Sequence, residues 1–361
     1  MARVVLAMSG GVDSSVAAYL LKQQGHEVIG MFMRTGTHTE ADGRADHKKG
    51  CCSAIDAGDA RRVADRLDLP FYALDFEAQF DRIIDYFADE YLQGRTPNPC
   101  VVCNSWLKFG QLWTYGQQLE ADFIATGHYA RLVRDGDEVA LHRADDPDKD
   151  QSYVLYGIRR EVLPRLLFPL GGYRKEAVRA LAREAGLGVA DKPDSVEICF
   201  VPDGDHARLI RERRPGLATA GQFVAPDGQV LGDHDGIERF TIGQRKGLGV
   251  AMGERRYVLK IVPETNAVVL GDRADLLASE LTASGVNWLI EPPTDEIVCQ
   301  AKIRYRHTAA PARVTWDGAR LRVRFDEPQS AVTPGQAVVL YQGTRVLGGG
   351  WIETGPTTSG R

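Results

Sequence analysis

RVVLAMSGGVDSSVAAYLL, residues 3–21, passes from an apolar run through a serine-glycine turn into a segment with apolar residues at helical spacing. The run RVVLAM has the character of a buried strand. Val16, Ala17, Leu20 and Leu21 fall on one helical face, with Ser14 or Ser15 as the expected cap and Gly25 as the expected stop. Between them, Gly10 and Gly11 let backbone N–H groups approach an anion with no Cβ in the way. Ser9, Ser14 and Ser15 add hydroxyl donors, and the helix amino terminus adds its dipole. Strand, turn and helix in that order read as a cradle for pyrophosphate. The turn is not a Walker loop, because G-x-x-x-x-G-K-[ST] is absent, nor a dinucleotide fingerprint, because G-x-G-x-x-G is absent.

Outward from this turn, EVIGMFM, PFYALDF and DFIAT read as further strands, separated by amphipathic segments such as the one ending in RRVADRLDLP. Alternating strands and helices up to about residue 203 predict an α/β domain with a doubly wound parallel sheet. Gly127 and His128, in ATGHYA, follow a strand directly, where open α/β sheets place ligand contacts. Residues 34–50 are polar and aperiodic, as expected of a mobile loop or lid. Beyond residue 203 the pattern changes to short alternating strands, with Asp-Gly turns at 227–228 and 317–318. The expected organisation is a nucleotide-binding catalytic domain over 1–203, a central β-rich module over 204–280 and a terminal β-barrel over 281–361.

The chain has 361 residues, 43% hydrophobic content and a formal charge of -5, and no apolar run approaches the ~20 residues of a membrane span. Its first residues lack the layout of a secretory signal, and its six cysteines are too few and too irregular for a disulfide framework. A cytoplasmic protein with reduced thiols is the expectation. An acidic chain is not built to coat nucleic acid, although a local basic face stays open. Residues 299–325 supply one, with Lys302, Arg304, Arg306, Arg313, Arg320, Arg322 and Arg324 against the single Asp317. Arg239, Arg245 and Lys246 add cations from the central module.

The turn resembles that of the PP-loop ATP pyrophosphatases, which cleave ATP between its α and β phosphates and pass AMP to an acceptor oxygen. Within that superfamily, replacing a carbonyl oxygen by sulfur calls for a sulfur carrier and a thiol to release it. Cys103 follows the proline-braced TPNPC, and Cys199 lies in DSVEICFVPD. With GRTPNPCVVCN, DKDQSYVLY, FPLGGYRKEAVR, KPDSVEICF, TIGQRKGLG, FDEPQSAVTPGQAVVLY and LGGGWIE in the right order, the chain resembles the MnmA-type tRNA-specific 2-thiouridylases along nearly its whole length.

That resemblance implies 2-thiolation of the wobble uridine of tRNA, with glutamate, glutamine and lysine isoacceptors as substrates and a cysteine desulfurase or sulfur-relay protein as donor. ATP, accompanied by Mg, is implied at Ala7, Met8, Ser9, Gly10, Gly11, Val12, Asp13 and Ser14, with Met33 and Gly127 at the adenosine. Asp13 is expected to organise the turn and the magnesium. Cys199 is implied as the persulfide carrier. Cys103 is implied as the nucleophile, either forming a disulfide with Cys199 to release sulfide or attacking the ring. His128, Lys149, Asp150, Gln151, Arg304, Tyr305 and Gln336 are implied tRNA contacts, and Asn98, Pro99 and Cys100 a lip around the flipped base.

One position departs from the pattern: well-known bacterial members carry aspartate where this chain has Cys100. Cys100, Cys103 and Cys199 therefore make a less favoured alternative, three thiolates able to hold an iron–sulfur cluster. Cys51 and Cys52 are candidate extra ligands. A PP-loop ligase or amidotransferase acting on a small metabolite, and a redox or iron–sulfur module merely regulated by ATP, are the other readings.

Overall fold

Val4, Val5 and Leu6 are fully buried, although alternate side chains of a strand point to opposite faces. A run of this kind belongs at the centre of a sheet covered on both sides, and the computed structural model places it there. It describes residues 1–36, 54–194, 198–249 and 254–354. Most of the polar stretch expected as a lid, together with Cys51 and Cys52, lies outside the described residues.

The chain divides into two compact units, one made of Met1–Ile83, Cys100–Gly204 and Thr344–Val346, the other of Ile84–Pro99, Asp205–Gly343 and Leu347–Arg361. Through the first run β1 (Arg3–Ala7), α1 (Val12–Gln23), β2 (Glu27–Arg34), α2 (Ala54–Arg66), β3 (Phe71–Asp75) and the start of α3 (Glu77–Leu92), whose residues from Ile84 onward count with the second. Then come α4 (Pro99–Val102), a π-helical stretch over Cys103–Gln111, α5 (Leu112–Gln118) and β4 (Phe123–Thr126). A hairpin of β5 (Ala130–Asp135) and β6 (Glu138–Arg143), the short β7 (Leu166–Leu167) and α6 (Lys175–Glu184) complete it. The sheet has the order β3-β2-β1-β4-β7, and its pairings are parallel. Leu6 pairs with Gly30 on one side and Ala125 on the other.

Strand order fixes where a ligand can sit. From β1 the chain moves outward through β2 and β3, then returns to β4 on the opposite side of β1, so the sheet switches direction between β1 and β4. At such a point the connections leave a crevice beyond the strand carboxyl ends. Residues 8–11, after β1, and Gly127, after β4, both lie there. One face of the sheet is closed by α1, α2 and α6, whose Val16, Ala17, Leu21, Ala60, Val63, Val178 and Ala182 pack with Val4 and Leu6.

The second unit contains α7 (His206–Arg213) and a four-stranded sheet of β8 (Gly221–Val224), β9 (Val230–His234), β10 (Tyr257–Val262) and β11 (Ala267–Gly271). Its core is Phe223, Phe240, Val258, Val268 and Leu270. β12 (Leu277–Trp288), β13 (Ile297–Lys302), β14 (Ala310–Trp316), β15 (Leu321–Ser330), β16 (Ala337–Gln342) and β17 (Arg345–Thr354) follow. They run in the order β12-β15-β14-β13-β16-β17, and pairing of β12 with β17 closes a six-stranded barrel. Closure removes the free edges that an open sheet would expose. Leu321, Val323 and Phe325 point into the barrel while Arg322 and Arg324 point out, the period-2 pattern expected of the sequence. Both Asp-Gly turns are present, with Gly228 at φ +89° and Gly318 at φ +98°.

Candidate active site

The turn after β1 is shaped by contacts that only glycine permits. Gly10 sits at φ +72°, and a Cβ there would lie 2.1 Å from the Asp56 carbonyl oxygen. A Cβ on Gly127 would lie 2.7 Å from the Ser14 nitrogen, so β4 delivers its backbone directly against the start of α1. The expected serine cap is not found. Gly11 is the N-cap, with no side-chain bond, and Ser14 and Ser15 stand inside the first turn. Their hydroxyls serve the turn instead. Ser14 Oγ accepts from Ser9 N–H at 3.1 Å, and Ser15 Oγ donates to the Gly11 carbonyl at 2.8 Å. Gly25, at φ +78°, follows the helix end as expected.

Charge around the turn is paired. Asp13 accepts from Lys175 Nζ at 2.8 Å on each oxygen and from the Tyr129 hydroxyl at 2.8 Å. Lys175, whose side chain is 9% exposed, also lies 2.8 Å from Asp194. Asp194 in turn accepts from Lys149 at 2.8 Å and Arg179 at 2.9 Å. Partial burial pushes the Asp194 carboxyl up, but bonds and charge from Lys149 and Lys175 outweigh this and bring it down to about 2. On the other side of the turn, Lys192 Nζ donates to the Gly10 carbonyl at 3.0 Å, Asp56 at 2.6 Å and Asp59 at 2.5 Å.

Of the nucleotide-side candidates, Ala7, Met8, Gly10, Val12 and Ser14 are buried, Gly11, Asp13, Met33 and Gly127 are half-buried, and Ser9 is exposed at the tip. His128 is buried, its Nδ1 2.7 Å from Thr126 Oγ1, with Phe109 and Phe168 beside the ring. Burial, aided by the charge of Lys108, holds its imidazole well below the ordinary value and therefore neutral. Asp150 is buried and accepts from Ala144 N–H, Ser152 N–H and Ser152 Oγ, while Gln151 exchanges bonds with Tyr129. These two residues shape the segment around Lys149.

Cys103 opens the π-helical stretch and is half-buried; Cys100, in α4, is exposed; Cys199 is half-buried. Local π-helical winding is uncommon and recurs at functional sites. Cys299 is buried in the barrel core, where desolvation pushes its thiol up to about 12. Among the described residues, no three His, Cys, Asp or Glu side chains converge as a metal site, so the three-thiolate arrangement is not assembled in this conformation.

In the second unit, Gln336 Nε2 donates to the Thr96 and Pro97 carbonyls, bracing the turn that carries the half-buried Asn98 and the buried Pro99. Arg304 is occupied internally, donating to the Ile242 carbonyl at 2.8 Å and Thr333 Oγ1 at 2.5 Å. Tyr305 is exposed. Arg245 and Lys246 are exposed, and Arg239 lies 3.0 Å from Asp235.

Sequence reading does not single out Lys175, Lys192 or Asp194. Lys175 meets Asp13 across 162 positions and Lys192 meets Asp56 across 136. The available sign is their position inside FPLGGYRKEAVR and KPDSVEICF, two of the stretches carrying the resemblance.

Comparison with known proteins agrees with this architecture. Residues 2–203 match the family profile described as tRNA methyl transferase HUP domain, 212–272 the tRNA methyl transferase PRC-barrel domain, and 278–352 the aminomethyltransferase beta-barrel domain. A protein of Rhodopirellula baltica named tRNA-specific 2-thiouridylase MnmA is 50% identical, covering 98% of this chain and 96% of its own. Proteins of the same name from Geobacter metallireducens and Geotalea uraniireducens are 50% and 51% identical, covering 98% and 97% of this chain and 98% and 95% of their own. No helix among the described residues is long and apolar enough to cross a membrane. With one profile spanning more than half of the sequence and relatives at half identity along nearly all of it, the chain belongs to the MnmA-type family of tRNA-specific 2-thiouridylases.

Proposed function

We propose that the protein is an ATP-dependent tRNA sulfurtransferase that converts the wobble uridine to 2-thiouridine, releasing AMP and pyrophosphate. The observation that carries this reading is the glycine-serine turn at the sheet's switch point, in a chain whose curated relatives bear the thiouridylase name. The turn from Ala7 to Ser14 receives the phosphates, and Met33 and Gly127 flank the adenosine. Magnesium arrives with the nucleotide as part of the substrate. It needs only one or two carboxylates beside phosphate and water ligands; Asp13, the acid on the turn, is held on both oxygens by Lys175 and would have to share that charge with the metal. The uridine C2 oxygen attacks the α-phosphorus, pyrophosphate leaves, and a poor leaving group becomes AMP. The target base must leave its stack to reach both the phosphorus and the sulfur.

Cys199 receives sulfur as a persulfide from a cysteine desulfurase or a relay protein. Its terminal sulfur bonds to C2 as AMP departs with the former C2 oxygen. Cys103 thiolate then attacks the Cys199 sulfur, forming a Cys103–Cys199 disulfide and leaving C2=S on the base. An external thiol reductant restores both cysteines. On the RNA side, the 281–361 barrel supplies Arg304, Tyr305 and Gln336, and the 204–280 module supplies Arg245 and Lys246. The 1–203 domain supplies Asn98, Pro99, Cys100, His128, Lys149, Asp150 and Gln151. Glutamate, glutamine and lysine tRNAs are the expected substrates.

The test is to incubate the protein with MgATP, a persulfide donor and unmodified tRNA, and measure 2-thiouridine by mass spectrometry. Product should form with wild type and Cys299→Ala, and fall by ~100-fold or more with Cys103→Ser or Cys199→Ser. Normal thiolation by Cys199→Ser would remove the persulfide role. ATP-dependent ligation of a small metabolite without tRNA thiolation would replace the whole reading.

A further inference from the structure

Lys192 and Asp194 belong to no site residue assigned so far, yet both reach the nucleotide turn from one short segment. The carbonyl of Gly10 and the N–H of Gly11 share one planar trans peptide and point to opposite sides of it. Lys192 Nζ holds that carbonyl at 3.0 Å, so the Gly11 N–H is turned away from Lys192. Gly10, at φ +72°, passes so close to the Asp56 backbone that an added Cβ would lie 2.1 Å from its carbonyl oxygen, so the peptide that Lys192 holds is packed as well as hydrogen-bonded. Asp56 and Asp59, both largely buried, in turn fix the ammonium. Two residues further on, Asp194 lies 2.8 Å from Lys175 Nζ, the group that holds both oxygens of Asp13. Arg179 ties the two together, donating to the Lys192 carbonyl at 3.1 Å and the Asp194 carboxylate at 2.9 Å.

We infer that Lys192 and Asp194 are positioning residues that clamp the nucleotide turn at two points, Lys192 orienting the Gly10–Gly11 peptide and Asp194 holding the Lys175–Asp13 pair, so that the turn is preorganised for a triphosphate. This rests on the ATP-dependent reading above. Preorganised backbone donors cost no rearrangement when the anion arrives, and that advantage is lost if the peptide can flip.

The experiment uses the full-length protein with Lys192→Met, Lys192→Arg and Asp194→Asn. Calorimetric titration with MgATP is paired with hydrogen exchange at residues 9–14 without nucleotide. Lys192→Met should bind MgATP ~10-fold or more weakly, as expected for loss of a charged hydrogen bond, and exchange faster at residues 10 and 11. Its KM for tRNA should stay within about twofold of wild type, because the bond touches no RNA contact. Lys192→Arg, which keeps charge and a donor, should recover most of the affinity. Asp194→Asn should weaken MgATP binding by a smaller factor, because Lys175 keeps both oxygens of Asp13. Unchanged affinity and exchange in Lys192→Met would overturn the clamp. So would weaker binding of ATP and tRNA together with a lowered melting temperature, which marks a merely structural lysine. Failure of wild type to bind MgATP would defeat the functional reading instead, and the exchange rates at residues 10 and 11 would then decide the clamp alone.

Discussion

At Gly10 a single methyl group has nowhere to go. Alanine there would place its Cβ 2.1 Å from a backbone oxygen while holding a left-handed conformation that costs an L-residue about 1–2 kcal/mol. Backbone cannot swing aside as a flexible side chain does, so the turn itself must move. We expect Gly10→Ala to fold, because the sheet core is untouched, and to lose MgATP affinity by ~10-fold or more, measured by calorimetry. An affinity within twofold of wild type would mean that the turn does not receive the phosphates. Serine was the misread residue type at this scale. Ser14 and Ser15 have the composition of caps, but the extended residue before the helix is Gly11, and their hydroxyls bond back into the turn. Propensity names residues suited to a helix start without fixing which one is the last extended position.

Among elements, those whose burial repeats in sequence were legible: β1, apolar after Arg3, the alternating β15 and the two Asp-Gly hairpins. What escaped was made by contacts between distant positions. Lys175 and Lys192 meet the turn from more than a hundred residues away. Arg304, counted from sequence in a basic stretch, also donates from one guanidinium nitrogen to the Ile242 carbonyl and Thr333 Oγ1, contacts that no spacing announces. Charge counts cannot distinguish an arginine that faces solvent from one that satisfies carbonyls. The β14–β15 pair does face solvent: Arg313 stands directly opposite Arg324, and Arg322 opposite Thr315. Like charges opposed across a sheet cost stability, and Glu296, 3.4 Å from Arg313 and 3.9 Å from Arg324, bridges the two at an exposed position where its screening effect is modest. A strip kept at that cost suits a phosphate track. The double change Arg322→Gln, Arg324→Gln should raise the KM for tRNA about 3- to 10-fold, flatten its salt dependence by about two phosphate contacts and leave kcat unchanged. An unaltered salt slope would assign the strip to plain surface.

For the whole molecule, the division into two compact units does not follow the chain in simple blocks, because Ile84–Pro99 groups with the β-rich unit and Thr344–Val346 with the α/β unit. Periodicity along a sequence reveals elements, and packing alone decides which distant segments share a unit. The family profiles follow the chain in three consecutive spans, 2–203, 212–272 and 278–352. Both descriptions leave one chemical claim at the centre, that the uridine C2 oxygen is activated by attack on ATP and leaves in AMP. The most direct measurement is thiolation of tRNA carrying uridine labelled with ¹⁸O at C2, with mass spectrometry of the nucleotide product. The account predicts one ¹⁸O in the AMP phosphate for every 2-thiouridine formed, and unlabelled pyrophosphate. Label released to water, or found in pyrophosphate while 2-thiouridine accumulates, would contradict it.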